Sequence, residues 1–397
     1  MTVRHTTTGA PLVTVEAADS PSALADWPGL TSSGSFYSGA QWLDFSDTDQ
    51  VAEARYFVGR TATGEPAAAL SAHWSPRENN ERYVPAQVLP HSALSGDALI
   101  IGGRRGYLST APLNPDLPQA VLGDALKALL DAAARWRPEA DGRWWWPYLT
   151  TRDATAARDA LAAAGSGPVP VAPWLLSADC AIEVPPGGIE EYIAALPAKQ
   201  RRVNARRELR AFAESGLRIV RTTLAPHTDV LGPLLANVQQ RYGHDHSAEQ
   251  MTSLLRRQAS HLDDSSVVFL CLPEGDDRPV GFCLAYRHGR ELAVRVVGFD
   301  YDRLPGAAEY AQLAVYEPLR YCQEHGLDRV ELGMESFEAK CRRGAHVRPL
   351  WALLPDTLPD RGAHDARRDE LAAAFPHHEA ALFRAEADRA FTALQVE

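Results

Sequence analysis

The sequence predicts a mixed α/β protein made of two related units in tandem, followed by a helical tail. Its 397 residues exceed what one ordinary hydrophobic core holds. Segments with strand-like alternation and segments with helical periodicity follow one another along most of the chain. A strand, a polar turn, a proline and a second strand occur in "ARYFVGRTATGEPAAALSAHW" and again in "VVFLCLPEGDDRPVGFCLAYRHG". This repetition favours a duplicated unit, with convergence on one pattern as the alternative.

Composition and charge exclude several classes of protein. Hydrophobic residues make up 45% of the chain and charged residues 23%, which is typical of a globular protein. The net charge of −11 argues against a broad nucleic-acid-binding surface but leaves room for a local basic groove. We expect no membrane insertion and a cytoplasmic location, because the sequence lacks a long apolar run and a basic-then-apolar leader. Five scattered cysteines without a CxxC pair fit neither a zinc site nor a disulfide framework, so no metal is expected.

The first unit is predicted over residues 31–170, after a lead-in of weak periodicity at 1–30. A short helix ("GSFYSGAQWLDFSD") precedes the strand pair quoted above. There follow a strand that ends in glycines ("DALIIGGRRGYLS"), an amphipathic helix ("PQAVLGDALKALLDAAARW"), a buried strand ("GRWWWPYLT") and a helix closed by glycine ("TRDATAARDALAAAG").

The second unit is predicted over residues 185–355. A short and a long helix ("GGIEEYIAALPAKQRRVNARRELRAFAESG") come first, followed by a strand ("LRIVRTTL"). Two helices follow, and the second opens with the capping-box spacing of Ser247 and Gln250. Three antiparallel strands, a long helix ("GAAEYAQLAVYEPLRYCQEHG") and two further strands complete the unit. Residues 356–397, rich in Ala, Arg and Glu, predict the helical tail.

A loop between a strand and a helix is the main candidate for binding chemistry. It follows a strand rich in β-branched residues and reads Arg303-Leu-Pro-Gly306-Ala307-Ala308 before a long helix. Small residues at a helix start let backbone N–H groups approach an anion, and the helix dipole favours its negative charge. The loop therefore predicts a phosphate or pyrophosphate site, with an ordinary helix start as the alternative.

These segments resemble the GNAT N-acyltransferases. Arg303-x-x-Gly306-x-Ala308 between a strand and a helix is similar to the acyl-CoA loop of that superfamily. An arginine-rich helix, a three-strand meander, this loop and a late Phe…Lys segment occur in the order of its BioF2-like and Fem-type branch. That branch includes aminoacyl-tRNA-dependent transferases of cell-wall synthesis and antibiotic pathways. The resemblance covers residues 190–355 well and 30–165 only as a degenerate copy, so it implies two tandem GNAT-like domains.

Lys340 is the residue that this resemblance marks most clearly. The chain has 37 arginines and three lysines, so a lysine in "ESFEAKCRRGAHVRPLW" stands out. In the family, the lysine of the Phe…Lys segment contacts phosphate or the developing oxyanion, which implies a catalytic role for Lys340. The resemblance also assigns donor binding to Phe337, Arg342 and Arg343. The sequence departs from the family because Ala339, rather than an aromatic residue, precedes the lysine; a solvated lysine is the alternative.

An arginine stripe on the long helix is the candidate for a second anion. Arg202, Arg206 and Arg210 are spaced by four residues and share one helix face, while Val203 and Leu209 are expected to face a core. Arginine grips phosphates through paired hydrogen bonds, so the stripe is predicted to hold a tRNA acceptor end or a phosphorylated acceptor. A solvated face with Glu208 as partner is the alternative.

Proton transfer has fewer candidates. His244 and His246 lie in a polar loop that borders the acceptor in the resembling family, and they could orient the amine; a plain loop is the alternative. The candidate proton carriers are Tyr310 and Glu309, at the start of the helix after the glycine loop, and Glu335; Tyr310 could protonate a leaving group. The sequence has no Gly-x-Ser-x-Gly elbow, so we expect direct attack by the amine.

The resemblance implies an amide-forming acyltransferase without a tightly bound cofactor. The expected donor is aminoacyl-tRNA, and the expected acceptor is an amine of a small metabolite or a cell-wall precursor, in specialised metabolism such as antibiotic biosynthesis. An acetyl-CoA- or acyl-CoA-dependent N-acetyltransferase is the alternative, supported by the Arg303 to Ala308 loop. A catalytically silent binding protein of the same fold is a third possibility.

Overall fold

The computed structural model describes residues 13–90, 92, 94, 97–355 and 359–395. The chain divides into two compact units. The first unit consists of residues up to Leu176, residues 350–364 and the chain from Ala390; the second consists of residues 177–349 and 365–389. Each unit is therefore assembled from separate stretches of chain, and the predicted tail contributes to both.

The first unit is a mixed sheet with helices, in the predicted order. Its strands are ordered β1-β2-β3-β4-β5, and β4 and β5 are parallel while the other neighbours are antiparallel. The elements are β1 (Val13–Ala18), α1 (Trp27–Thr31), α2 (Ala40–Asp47), β2 (Glu53–Thr61), β3 (Pro66–Trp74), α3 (Pro85–Val88), β4 (Leu99–Ile101), α4 (Gln119–Trp136), β5 (Trp144–Thr150) and α5 (Thr151–Ala162).

The segment expected to be a loose lead-in contains structure. Strand β1 pairs with β2 through six residues, from Val13 opposite Thr61 to Ala18 opposite Tyr56. Four of the six side chains of β1 are exposed. An edge strand with so little buried surface carries no clear hydrophobic alternation, which is why the sequence pattern missed it.

The second unit has the same order of connections. Its strands are ordered β6-β11-β10-β9-β8-β7, with β10 and β11 parallel. The elements are β6 (Ala172–Glu183), α6 (Gly188–Ala195), α7 (Lys199–Ala213), β7 (Leu217–Thr222), α8 (Thr228–Arg241), α9 (Ala248–Leu262), β8 (Ser266–Pro273), β9 (Gly281–His288), β10 (Glu291–Phe299), α10 (Glu309–Ala311), a π-helical turn (Gln312–Tyr316), α11 (Glu317–His325), β11 (Arg329–Gly333), α12 (Phe337–Arg342) and β12 (His346–Leu354). The residues of β6 up to Leu176 and those of β12 from Leu350 are counted with the first unit.

Both units contain three antiparallel strands, a crossover helix and then a strand parallel to the third. In the first unit these are β2, β3, β4, α4 and β5; in the second they are β8, β9, β10, the helix ending in α11, and β11. This correspondence confirms the predicted duplication and mixed, mostly antiparallel sheet. The first copy is degenerate. Its strand β4 has only three residues, and no helix begins directly after it, because the next helix, α4, starts at Gln119.

The tail is helical, as predicted. Helices α13 (Arg361–Ala372) and α14 (His377–Gln395) account for most of its described residues. In the second unit, Phe375 packs between Phe337 and Phe383, with ring centroids 4.8 and 4.9 Å away. Among the residues that the structure describes, no helix is long and apolar enough to cross a membrane.

The parallel strands β10 and β11 separate after three residue pairs. Ladder pairing runs only from Glu291 opposite Arg329 to Ala293 opposite Glu331. Beyond that point β10 continues to Phe299 paired with β9, and a bulge at Arg295 interrupts its register between Val294 and Val296. A bulge bends and twists its strand. The two strands therefore diverge and open a cleft within the second unit.

Candidate active site

The cleft between β10 and β11 contains a cavity of about 430 Å³, a size suited to a small ligand. Valines of β10 and residues of α8 form its apolar side, and charged and aromatic groups converge from α10, α12 and the adjoining loops. The lining residues are Leu235, Val238, Gln239, Arg241, Tyr242, Val294, Arg295, Val296, Val297, Phe299, Tyr301, Leu304, Glu309, Tyr310, Ala314, Leu332, Met334, Glu335, Ser336 and Lys340. All three residues predicted to be catalytic are brought together here.

Lys340 reaches the cavity from helix α12. Its side chain is buried, and its Nζ donates hydrogen bonds to the backbone oxygens of Gly333 at 3.1 Å and Met334 at 2.7 Å. Burial lowers the pKa of the Lys340 ammonium, while the nearby Cys180 and Asp179 oppose that shift. An ammonium group has three N–H donors, and these bonds use two. The third remains for a ligand in the cavity.

The backbone at the end of β11 and just after it binds the Lys340 side chain. Gly333, Glu335 and Ser336 have φ values of +68°, +65° and +48°, all in the left-handed region. Two of the three are not glycine, and a left-handed backbone is unfavourable in conformational free energy for such residues. The surrounding structure must therefore stabilise this turn. The turn presents the carbonyl oxygens that fix Lys340, and it places Glu335 and Ser336 in the cavity wall.

Tyr310 is positioned as a neutral hydroxyl. Burial raises its pKa to about 12, so the phenol keeps its proton at neutral pH. The Arg343 guanidinium lies 5.9 Å from the Tyr310 ring centroid. Arg343 is in turn fixed by Glu208, whose Oε1 accepts from Nη2 at 2.8 Å, and Glu208 also accepts from the Tyr316 hydroxyl at 2.6 Å. Arg343 therefore supports the cavity wall and is not among the residues that line the cavity, so its predicted contact with the donor stays a prediction.

Glu309 occupies the glycine loop itself. Its Oε1 accepts hydrogen bonds from the backbone N–H groups of Gly306 and Ala307, each at 2.8 Å. The Glu309 side chain is buried, and Gly306 and Ala308 are left-handed, with φ of +81° and +64°. Two of the amides predicted to bind a donor phosphate are thus satisfied by the chain's own carboxylate. In this structure the predicted donor-binding amides and the predicted proton carrier Glu309 therefore bind one another.

Other predicted donor contacts lie away from the cavity. Arg303 pairs with Asp276 at 2.5 Å, and the exposed Arg342 pairs with Glu338 on its own helix. Phe337 packs on Phe375 of the tail and does not line the cavity. The aromatic residue three positions before the lysine therefore has a packing role, which fits the departure from the family pattern at Ala339.

The predicted arginine stripe on α7 divides into anchored and exposed parts. Arg202 donates to the Leu196 carbonyl oxygen at 2.6 Å, whereas Arg206 and Arg210 are exposed. Val203 is 47% exposed, so it does not face a core as expected. The adjacent Arg201 instead points inward and donates to the Cys341 carbonyl oxygen of α12 at 2.9 Å.

His244 and His246 are exposed in the loop between α8 and α9, and neither lines the cavity. The same loop does bring Arg241 and Tyr242 to the cavity. Arg241 lies 4.4 Å from the Tyr301 ring centroid, and Tyr242 is 67% exposed. Sequence reasoning missed these residues, although an arginine and a tyrosine directly before the predicted acceptor loop were a usable signal.

A buried ion-pair cluster lies behind the cleft. Arg348 of β12 donates to Asp179 of β6 at 2.6 Å and to Glu331 of β11 at 2.6 Å. Both carboxylates are buried, and they raise the pKa of Arg348 despite its burial. The cluster ties together three strands, including the one that leads into the turn under Lys340. Its members are far apart in sequence, so no local pattern could predict it.

Comparisons with known proteins agree with this geometry. Residues 198–341 match the family model described as an acetyltransferase (GNAT) domain. The solved structure of FemX aligns with a TM-score of 0.60 at 11% identity, over 86% of this chain and 97% of that one. L-PGS from Bacillus licheniformis aligns with a TM-score of 0.50 at 11% identity, over 84% and 91%.

A conserved protein of unknown function from Bacteroides thetaiotaomicron also aligns, with a TM-score of 0.50 at 11% identity, over 79% of this chain and 88% of that one. No curated protein matches the sequence. The matched segment contains the splayed parallel strands and the loop after β10, so residues 198–341 form an acyltransferase domain of the GNAT type. FemX shares the fold along most of the length of this chain.

Proposed function

We propose that the protein transfers an aminoacyl group from aminoacyl-tRNA to an amine of a small metabolite or a cell-wall precursor. The fold likeness to FemX supports a donor of this kind. The observation that carries the proposal is the composition and placement of helix α7, which attaches a strongly basic surface to α12, the helix that holds Lys340.

Helix α7 (sequence KQRRVNARRELRAFA) has six basic residues and one acidic residue, in a chain whose net charge is −11. Its inward residue Arg201 binds the backbone of α12, and its Glu208 binds Arg343. Arg206, Arg207 and Arg210 are exposed on the same helix. A concentrated positive surface of this kind fits a polyphosphate backbone, since arginine contacts with phosphate release counterions and strengthen binding.

The cleft can perform aminolysis of an ester. Beyond Ala293 the cleft-facing edge of β10 has no ladder partner in β11, so its backbone N–H groups can polarise the donor carbonyl. The amine nitrogen attacks the carbonyl carbon, and the bond to the ribose oxygen breaks. Lys340 stabilises the negative charge that develops on oxygen, and Tyr310 donates a proton to the leaving ribose oxygen. The amine must lose one proton to bulk water or to a loop residue.

The test uses the full chain with a pool of aminoacyl-tRNAs and a panel of amines, with product detected by mass spectrometry. We expect amide product that disappears when RNase is added before the enzyme. Matched reactions with acetyl-CoA should give no product. RNase-resistant product formed from acyl-CoA would overturn the proposal.

An acyl-CoA-dependent N-acetyltransferase is the second candidate. The left-handed Gly306 and Ala308 in the Arg303 to Ala308 loop favour it, because that loop resembles an acyl-CoA loop. The position of Glu309 argues against it, since its carboxylate already binds two of the backbone amides that a pyrophosphate would use.

A further inference from the structure

We propose that Glu309 is a specificity-determining residue that excludes pyrophosphate-bearing donors such as coenzyme A by filling the backbone anion site of the 303–308 loop. The inference rests on the proposed function. It explains how a GNAT cleft could fail to bind acyl-CoA and still bind aminoacyl-tRNA, whose phosphates would contact other residues.

The contact is a substitute for a bound anion. A single carboxylate oxygen of Glu309 accepts from two successive backbone N–H groups, those of Gly306 and Ala307, at 2.8 Å each. Glu309 as a whole residue is 5% exposed. Successive N–H groups that converge on one oxygen form the concave donor arrangement that phosphates occupy at helix starts. Here a residue of the following helix provides the negative charge.

The backbone of the loop is shaped for this contact. Gly306 and Ala308 adopt left-handed conformations, and Ala308 does so without the freedom of glycine. Helix α10 begins directly after Ala308 and continues through the π-helical turn into α11. The carboxylate that caps this helix start therefore also neutralises its positive dipole end.

The side-chain cation of the loop is also occupied. Arg303 pairs with Asp276 at 2.5 Å. A pyrophosphate at this loop would have to displace one internal carboxylate from the amides and compete with another for the guanidinium. Two like charges cannot share the same donors, so the internal carboxylate opposes an external phosphate. Both anion-binding features of the loop are thus satisfied from within the chain.

The test measures binding of coenzyme A and, separately, of inorganic pyrophosphate by calorimetry. The proteins are the full wild-type chain, Glu309→Ala, Glu309→Gln and Glu249→Ala. Glu249 is an exposed acid in the first turn of α9, so its replacement makes the same charge change at another helix start. Thermal unfolding of each variant identifies any that fails to fold.

We expect Glu309→Ala to bind both probes at least about tenfold more tightly than wild type, the order of one charge-assisted hydrogen bond. Glu309→Gln should give a smaller gain, because the amide keeps the acceptor oxygen but loses the charge. Glu249→Ala should bind as wild type does. Equal affinity in wild type and both folded Glu309 variants would overturn the inference, and so would tight binding of coenzyme A by wild type.

The outcomes separate this inference from the proposed function. If wild type uses aminoacyl-tRNA but neither Glu309 variant gains affinity for the probes, the inference fails and the function stands. If the variants gain affinity but wild type gives no product with aminoacyl-tRNA, Glu309 fills the anion site as inferred and the proposed donor is wrong.

Discussion

Lys340 is bound by two backbone carbonyl oxygens at the edge of the cleft, an arrangement that leaves its charge available to a reacting oxygen. Replacing it with alanine should lower kcat/KM by about 10²-fold, as for the loss of one group that stabilises transition-state charge. Steady-state kinetics with aminoacyl-tRNA measures this. Wild-type kinetics in a folded Lys340→Ala variant would remove Lys340 from the mechanism.

The pH dependence gives Lys340 a second readout. Burial lowers its pKa, so the charged form is lost at a lower pH than for an exposed lysine. Activity should therefore fall on the alkaline side below the ordinary lysine pKa of 10.5. A Lys340→Arg variant that retains activity should keep it to higher pH, because arginine stays protonated.

Tyr310 should act through its hydroxyl proton. The Tyr310→Phe variant keeps the ring that Arg343 faces and removes only the donor. We expect kcat/KM to fall about 10²-fold, at the low end for loss of a general acid. The effect should shrink with a donor whose leaving group needs no proton, such as a phenyl ester. An equal loss with both donors would show that the hydroxyl only positions other groups.

At the scale of a single helix, α7 carries the predicted RNA contacts. A triple variant in which alanine replaces Arg206, Arg207 and Arg210 should bind tRNA more weakly. The magnitude of the slope of log K against log salt should also fall by about 2 to 3, since each phosphate contact contributes roughly 0.7 to 0.9. Filter binding across a salt series measures both. The control is a triple alanine variant of other exposed arginines, Arg257, Arg278 and Arg287. A similar change in that control would mean that only net charge matters.

The ion-pair cluster at Arg348 should matter for the strands behind the cleft. Arg348→Met removes the cation that pairs with the buried carboxylate of Asp179 and leaves Glu331 with only Arg329, so the free energy of unfolding should fall by about 3–5 kcal/mol. Denaturant unfolding measures this. Breaking the exposed pair of Arg290 and Asp328 with Arg290→Ala should have little effect. Equal losses in the two variants would contradict the buried cluster's role.

Hydrophobic period and turn residues were enough to predict most elements of the second unit, because its strands are buried and its helices are long. They failed at β1, whose side chains are mostly exposed, and at Val203, where a valine lies on a solvent face. For the site, the pattern selected Lys340, Tyr310 and Glu309, which do converge. The role of Glu309 could not be predicted, since it depends on left-handed turns at Gly306 and Ala308 that aim two amides at one oxygen.

At the scale of the whole protein, the half-buried acid Glu291 should make stability depend on pH. Burial and the charge of Glu331 raise the pKa of Glu291 from 4.5 to about 7. Between pH 4.5 and 7 the Glu291 carboxyl is protonated in the folded state but ionised in the unfolded state. The free energy of unfolding therefore falls as pH rises from 4.5 to 7. In Glu291→Gln this decrease in the free energy of unfolding should be smaller by up to about 3 kcal/mol, since one pK unit corresponds to 1.36 kcal/mol. Denaturant melts at pH 4.5 and 8 measure this; equal slopes in both proteins would contradict it.

The two units interleave along the chain, and this has a consequence during synthesis. The first unit needs residues 350–364 and the chain from Ala390 onward, and the second needs residues 365–389. Neither unit can therefore finish folding until nearly all of the polypeptide has left the ribosome. Nascent chains halted before residue 350 should stay sensitive to protease throughout, and neither half should be recoverable as a contiguous fragment.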